Sequence, residues 1–159
     1  MKNKLIVLEG IDGVGKTTLS RLLYEELSKR GIAAVRYEEY EKKKEGFNTA
    51  KKFVKQYAPI DSSLLFYIAS SIHKSKVFEK LLKTRWVICD RYIYSTLAYH
   101  RVRGADLSLV APLARLPVRV PDHYFLVTVD ERVRRERVRL RRNGNIQDTM
   151  PKRKGGLYP

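Results

Sequence analysis

The residues with the clearest chemical potential lie near the N-terminus, at Gly10-Ile11-Asp12-Gly13-Val14-Gly15-Lys16-Thr17. They fit the pattern G-x-x-x-x-G-K-[ST], after the apolar run Leu5-Ile6-Val7-Leu8 and ahead of a stretch with helical periodicity. Glycines at these places let successive backbone N–H groups turn toward one concave point. A helix N-terminus opening there adds its partial positive charge. Lys16 would then reach the β- and γ-phosphates of a bound triphosphate, and the Thr17 hydroxyl would ligate Mg²⁺. Asp12 does not fit an anion-binding loop on charge grounds. It either caps the turn as an Asx residue or accepts a hydrogen bond from a hydroxyl on a second substrate.

A second constellation is Asp90-Arg91-Tyr92, at the carboxyl end of the apolar run Trp86-Val87-Ile88-Cys89. Open α/β sheets bind ligands at that end of their strands. Asp90 stands where an acidic residue holds Mg²⁺ through water in nucleotide-binding enzymes of this kind. Arg91 offers a planar fork suited to a phosphate. The simpler alternative is an ion pair between the two at a strand end. His73, His100 and His123 have no partners at metal-ligand spacing, and Cys89 reads as a small buried hydrophobe.

These groups need a scaffold, and the remaining sequence supplies its elements. Leu5 to Leu8 reads as a buried parallel strand. Thr18 to Leu27 reads as a helix with Leu19, Leu22, Leu23 and Leu27 on one face, stopped by Lys29, Arg30 and Gly31. Ile32 to Tyr37 is expected to be a second strand, and the polar stretch from Glu38 to Lys55 a loop and short helix. Asp61 or Ser62 is expected to cap a helix through Leu64, Leu65, Ile68 and Ile72, with Val77, Leu81 and Leu82 continuing it past a bend. Trp86 to Cys89 forms a third strand. Helical stretches follow at Tyr94 to His100 and Leu107 to Leu116, then a fourth strand at Tyr124 to Val129 and a basic helix at Glu131 to Arg142. Strands alternating with helices imply a mainly parallel sheet with right-handed crossovers.

Length and composition set the frame. A chain of 159 residues is one domain, large enough to bury about two-thirds of its unfolded surface. The hydrophobic fraction of 43% is globular and excludes a disordered chain. The formal charge of +16, from 33 Lys and Arg against 17 Asp and Glu, calls for an anionic partner. Residues 131–159 hold ten Lys or Arg against three acids, and Lys42-Lys43-Lys44 form a second knot. Taken alone, such runs are as readily solvated faces. One cysteine allows neither an internal disulfide nor a cysteine-based zinc cluster. No apolar run reaches the roughly 18–20 residues that span a bilayer. The apolar run after Met1-Lys2-Asn3-Lys4 is too short for a signal peptide. A soluble, cytoplasmic α/β domain with no membrane partner is expected.

At this point the sequence resembles the thymidylate kinases. The matching stretches are Leu8-Glu9-Gly10-Ile11-Asp12-Gly13-Val14-Gly15-Lys16-Thr17-Thr18, then Leu64-Leu65-Phe66, then Asp90-Arg91-Tyr92-Ile93-Tyr94-Ser95-Thr96-Leu97-Ala98-Tyr99. Pro121-Asp122 ahead of the fourth strand and Val129-Asp130 before an Arg-rich segment complete the series in family order. The resemblance implies an α/β P-loop kinase fold, a three-layer sandwich whose mainly parallel sheet of about four strands is flanked by helices. It implies ATP-dependent phosphorylation of dTMP to dTDP, with Mg²⁺ as cofactor, ATP and a deoxynucleoside monophosphate as partners, no nucleic acid, and a homodimer. ATP would lie on Gly10, Ile11, Asp12, Gly13, Val14, Gly15, Lys16, Thr17 and Thr18. Mg²⁺ would be held by Thr17 and Asp90. On the acceptor side, Asp12 would accept from the deoxyribose 3′-hydroxyl and Arg91 would hold the phosphate. Phe66 would stack on thymine, Thr96 would contact the base, and Tyr99 would pack under the sugar and exclude a 2′-hydroxyl. Some relatives carry an arginine within the phosphate loop, at the position of Gly13. This chain resembles the subgroup that supplies catalytic arginines from a lid instead, here about residues 131–150, with Arg137, Arg139 and Arg141 at suitable spacing and Arg142 adjacent. Lys16, Arg91, Arg139 and Arg141 are the expected catalytic set.

The pattern also breaks. Four residues after Phe66 the family usually has an arginine that reads the base; here it is Ser70. The family's Arg-Glu-Pro-like stretch after the second strand is replaced by Arg36-Tyr37-Glu38-Glu39-Tyr40, where Arg36 or Lys42 to Lys44 could restore the charge. Both departures bear on base selectivity more than on reaction type. Members usually continue past the lid with a helix, a fifth strand and a closing helix. Here Gly155-Gly156-Leu157-Tyr158-Pro159 follows it, so the sequence reads as a fragment or a shortened member, with the fifth strand absent and the edge beside Tyr124 to Val129 uncovered. Two other readings remain open at this stage. One is a deoxynucleoside kinase using Glu9, Glu38 or Glu39 as base; the other is a non-catalytic nucleotide- or nucleic-acid-binding module.

Overall fold

The computed structural model of the chain describes residues 2–41, 45–110 and 117–142, with backbone alone at 45–48 and 142. Strand β1 (Leu5–Glu9) is buried along its whole length because it has neighbours on every side. It pairs in parallel with β3 (Trp86–Asp90) on one edge and β4 (His123–Leu126) on the other. Strand β2 (Ala34–Arg36) adds to β3, giving the order β2-β3-β1-β4. Alternate β1 residues feed two core layers. Leu5 and Val7 meet Tyr37, Leu64, Ile68, Phe78, Val87 and Cys89 on one face. Ile6 and Leu8 meet Leu27 and Ile88 on the other. That period-2 division places helices on both faces and makes three layers.

Helix α1 (Lys16–Lys29) leaves the phosphate loop and packs through Leu27, Leu23 and Tyr24. Leu19 and Leu22, expected on its core face, are each 40% exposed, so the buried stripe is narrower than the leucine spacing implies. Strand β2 is shorter than expected. Tyr37 instead opens α2 (Tyr37–Glu41), which buries its ring edge-on against Phe78 at 5.0 Å. The stretch expected to be a loop and short helix ends in the longer helix α3 (Glu45–Tyr57).

Helix α4 (Ile60–Leu81) runs unbroken for 22 residues where a bend was expected. Its buried serines are small enough for neighbours to approach, and their hydroxyls find partners. Ser63 meets the buried His100 at 3.1 Å, and Ser75 meets the Tyr92 hydroxyl. Neither Asp61 nor Ser62 caps this helix, which starts after Pro59 without a side-chain cap. Asp61 accepts from the Asp106 N–H at 3.1 Å instead, tying down the chain after α5 (Ile93–Val102). The helix expected at Leu107 to Leu116 begins as a short 3₁₀ turn at 107–110, and its remainder lies outside the described residues. Strand β4 starts one residue earlier than expected and stops at Leu126, leaving Val127 to Val129 as non-strand chain beside the phosphate loop. All four β4 residues are exposed. Helix α6 (Glu131–Arg142) forms as expected; residues 143–159, with the rest of the anticipated lid, lie outside the described part. No described helix is long and apolar enough to cross a membrane.

Candidate active site

The loop from Gly10 to Gly15 connects the buried end of β1 to the first turn of α1. Gly10 is obligatory on steric grounds: at φ 142° its Cα faces Val127, whose carbonyl oxygen would lie 2.4 Å from any Cβ. Lys16, only 5% exposed, curls back over the loop so that Nζ donates to the Ile11 carbonyl at 3.1 Å and stands 3.9 Å from Asp90 Oδ1. Burial pushes its ammonium below the usual lysine range, against the pull of Asp90. The parallel register Leu8 with Asp90 is what brings that carboxylate to the loop. Thr17 Oγ1 donates to Asp90 Oδ2 at 3.1 Å, while Asp90 Oδ1 is buried without a hydrogen-bond partner. A hydroxyl beside a carboxylate oxygen that lacks a donor is an all-oxygen set, and its chemistry fits Mg²⁺ with its water shell.

Arg91 sits at the turn from β3 into α5 with φ 68°, the one described non-glycine residue at positive φ. A left-handed arginine costs roughly 1–2 kcal/mol, and such strain persists only where the surroundings enforce it. The conformation sends the guanidinium back over the loop. Nη2 donates to Asp12 Oδ1 at 2.6 Å, Nη1 to Ser95 Oγ at 3.2 Å, and Cζ lies 5.0 Å from the centre of the Tyr99 ring. The simpler alternative, an ion pair between Asp90 and Arg91, does not form: Asp90 serves Thr17 and Lys16, and Arg91 reaches Asp12. Phe66 is half-buried on α4, its ring edge-on to Tyr67 at 5.5 Å, and Tyr99 is 39% exposed. Thr96 is half-buried in the first turn of α5, where its carbonyl meets His100 Nδ1 at 2.7 Å.

Helix α6 lies across the loop. Arg134 Nη1 donates to the Asp12 carbonyl at 3.3 Å and Arg137 Nη1 to the Gly13 carbonyl at 3.4 Å. Arg137 was anticipated, but Arg134 was not; the only signal for it is the i, i+3 spacing that puts the two on one helical face. Arg139 and Arg141 are exposed and hydrogen-bond none of the described residues, and the side chain of Arg142 lies outside them. Glu131 holds Arg134 and Arg135 at 2.6 and 2.8 Å, and those guanidinium groups draw its carboxyl down to about 2.

Glu9 and Glu38, candidate bases in the sequence reading, are both engaged. Glu9 is 3% exposed and accepts from the N–H groups of Tyr92 at 2.8 Å and Ser95 at 3.3 Å, and from the Ser95 hydroxyl. Glu38 accepts from the Asp90 N–H at 2.5 Å, and burial raises its carboxyl above the usual range. Arg36 pairs with Glu39 at 2.6 Å and reaches Ser20, whereas Lys42 to Lys44 lie outside the described residues. Ser70 is buried within α4. A largely apolar cavity of about 360 Å³ lies between the loop, α5 and the end of β4, bordered by Gly10, Tyr94, Ser95, Tyr99 and Tyr124.

A glycine-lined loop on the central strand of a parallel sheet, with a lysine and threonine opening the next helix and an Asp-Arg pair closing the adjacent strand, defines a P-loop phosphotransferase. The family model for thymidylate kinase matches residues 8–154, and the chain belongs to the thymidylate kinase family. The protein named "Probable thymidylate kinase" from Methanocaldococcus jannaschii is 34% identical over 145 residues, covering 87% of this chain and 71% of that one. Its counterpart from Pyrococcus abyssi is 35% identical over 159 residues, covering 93% and 75%. The crystal structure of thymidylate kinase from Ehrlichia chaffeensis superposes with a TM-score of 0.62 at 34% identity, covering 91% of this chain and 86% of that one.

Proposed function

We propose that this chain transfers the γ-phosphoryl group of ATP to dTMP, giving ADP and dTDP. The carrying observation is the 2.6 Å contact between Arg91 and Asp12, which joins an acceptor clamp to the loop that grips the donor. An oxygen of the dTMP phosphate attacks the γ-phosphorus in line as the bond to the β,γ-bridging oxygen breaks. That phosphate is already anionic and needs no general base, in accord with Glu9 and Glu38 both being occupied elsewhere. Catalysis then consists of alignment and charge neutralisation.

The roles proposed here are those the family resemblance implies, supported by the geometry of the loop and of Arg91. The amides of Gly10 to Thr18 and the Lys16 ammonium grip the triphosphate. Thr17 and Asp90 would hold Mg²⁺, which when bound offsets charge on the β- and γ-phosphates. Arg91 takes the acceptor phosphate, Asp12 the 3′-hydroxyl, Tyr99 the sugar, and Phe66 and Thr96 the base. Helix α6 is the described part of a lid within a single kinase domain over residues 1–159. Arg134 and Arg137 join Arg139 and Arg141 as the lid cations available to the transferring group. Kinship also supports a homodimer, which light scattering would test.

The deciding experiment is a coupled ADP-release assay over the four deoxynucleoside monophosphates and thymidine. ADP should appear only with ATP and a monophosphate together, fastest with dTMP. Turnover of thymidine without dTMP would replace this reading with a deoxynucleoside kinase.

A further inference from the structure

Glu9 has no place in the transfer itself, yet it is a buried carboxylate between the two halves of the site. It is the last residue of β1, next in sequence to the phosphate loop, and its carboxylate bonds to Tyr92 and Ser95 at the start of α5 and to Tyr124 on β4. Tyr92 opens α5 as N-cap with no side-chain cap of its own, so the first turn depends on an acceptor from elsewhere. Glu9 supplies it through Oε1, to the Tyr92 and Ser95 N–H groups, where a negative charge also complements the helix dipole. Arg91 is thus pinned on both sides by β1: its own N–H goes to the Leu8 carbonyl at 2.9 Å and the next N–H goes to Glu9. This clasp enforces the left-handed φ of 68°.

A second link reaches the guanidinium directly. Ser95 has one proton, and it is given to Glu9 Oε2; a carboxylate can only accept. The Ser95 lone pairs are thereby left facing Arg91 Nη1, which can only donate. Glu9 dictates the direction of the Ser95 hydroxyl, and that direction orients the arginine. We infer that Glu9 and Ser95 are positioning residues that aim Arg91 at the acceptor, coupling the strand that carries the donor loop to the acceptor clamp. The inference rests on the reading of Arg91 as that clamp.

The test is steady-state kinetics on the full chain with Ser95→Ala, Glu9→Gln, Arg91→Ala and the double variant Ser95→Ala/Arg91→Ala. Misplacing a clamp by an ångström costs about 10- to 100-fold. Ser95→Ala and Glu9→Gln should raise KM for dTMP by about that order while KM for ATP stays within about 2-fold, and Ser95→Thr, which keeps the hydroxyl, should restore it. In the Arg91→Ala background Ser95→Ala should add almost nothing, because the group it aims is gone. Equal rises in both KM values, or an undiminished effect of Ser95→Ala without Arg91, would overturn the inference. An unchanged KM for dTMP in Ser95→Ala, with a large rise in Arg91→Ala, would overturn it while leaving the clamp intact. No rise in Arg91→Ala would overturn both. Ser95 is half-buried, so Ser95→Ala carries the test even where Glu9→Gln fails to fold.

Discussion

Gly13 and Val138 touch where the phosphate loop meets the basic helix: a Cβ on Gly13 would stand 2.9 Å from Val138 Cγ2 and 3.1 Å from the Arg134 carbonyl oxygen. Helix α6 therefore packs on the loop position at which relatives of another subgroup place an arginine, and one loop position cannot serve both arrangements. Gly13→Ala, at φ 90°, combines backbone strain with this clash. It should lower kcat by at least about 10-fold and speed tryptic cleavage within 131–142. Unchanged kcat and cleavage would show that α6 does not need this contact.

The arginines of α6 should separate by position. Arg134 and Arg137 contact the loop carbonyls, whereas Arg139 and Arg141 hydrogen-bond none of the described residues. A group stabilising the transition-state charge is worth about 10²–10³ in kcat. Single Ala variants at the four positions, compared by kcat with saturating substrates, should show the largest loss at 134 or 137. The largest loss at 139 or 141 would mean that α6 turns on closure.

Asp12 should be tested against the substrate as well as by mutation. Asp12→Ala should raise KM for dTMP, and the same enzyme should no longer distinguish dTMP from its 3′-deoxy analogue. Wild type should lose about 1.5–3 kcal/mol with the analogue, the range for a hydrogen bond to a charged group. Full discrimination retained in Asp12→Ala would assign the 3′-hydroxyl to another residue.

Asp122 ties the start of β4 to β1, accepting from the Leu5 N–H at 2.9 Å with Arg119 and Lys4 nearby. Partial burial raises its carboxyl, but that hydrogen bond and the two cations outweigh it and leave it below the usual aspartate range. A depressed folded-state pKa gives stability that is present above the unfolded value near 3.9 and lost as pH falls through the folded one. Asp122→Asn should therefore destabilise the chain by about 1–2 kcal/mol at pH 7, and the gap in Tm from wild type should close as pH falls below about 4. A gap independent of pH would mean that the charge contributes nothing.

Much of the site was legible in the chain itself because its chemistry is local. Gly10 to Thr17 sits between an apolar run and a helical period, and backbone geometry alone makes such a segment a phosphate cradle. Asp90-Arg91 could be placed at a strand end for the same reason. Glu9, Ser95 and Arg134 carried no comparable signal. Glu9 looks like the polar end of a strand, and Ser95 like one small residue in a helix. Arg134 looks like one charge in a run of them. Glu9 and Ser95 meet across 86 residues, and Arg134 meets the loop across 122. Leu19 and Leu22 failed in the opposite sense, since periodicity names a helical face but not how much of it a neighbour covers.

The sequence by itself determined the parallel α/β architecture and the phosphate loop, because these follow from glycine placement, apolar runs and residue type over short spans; the kind of reaction entered through the family resemblance. Only the tertiary structure decided which carboxylate meets which cation. The register of β1 with β3 gave Asp90 to Thr17 and Lys16. The left-handed turn at Arg91 gave its guanidinium to Asp12, and the packing of α6 on Gly13 selected Arg134 and Arg137 from the basic helix. Such pairings depend on distances between segments far apart in the chain, which no local spacing encodes.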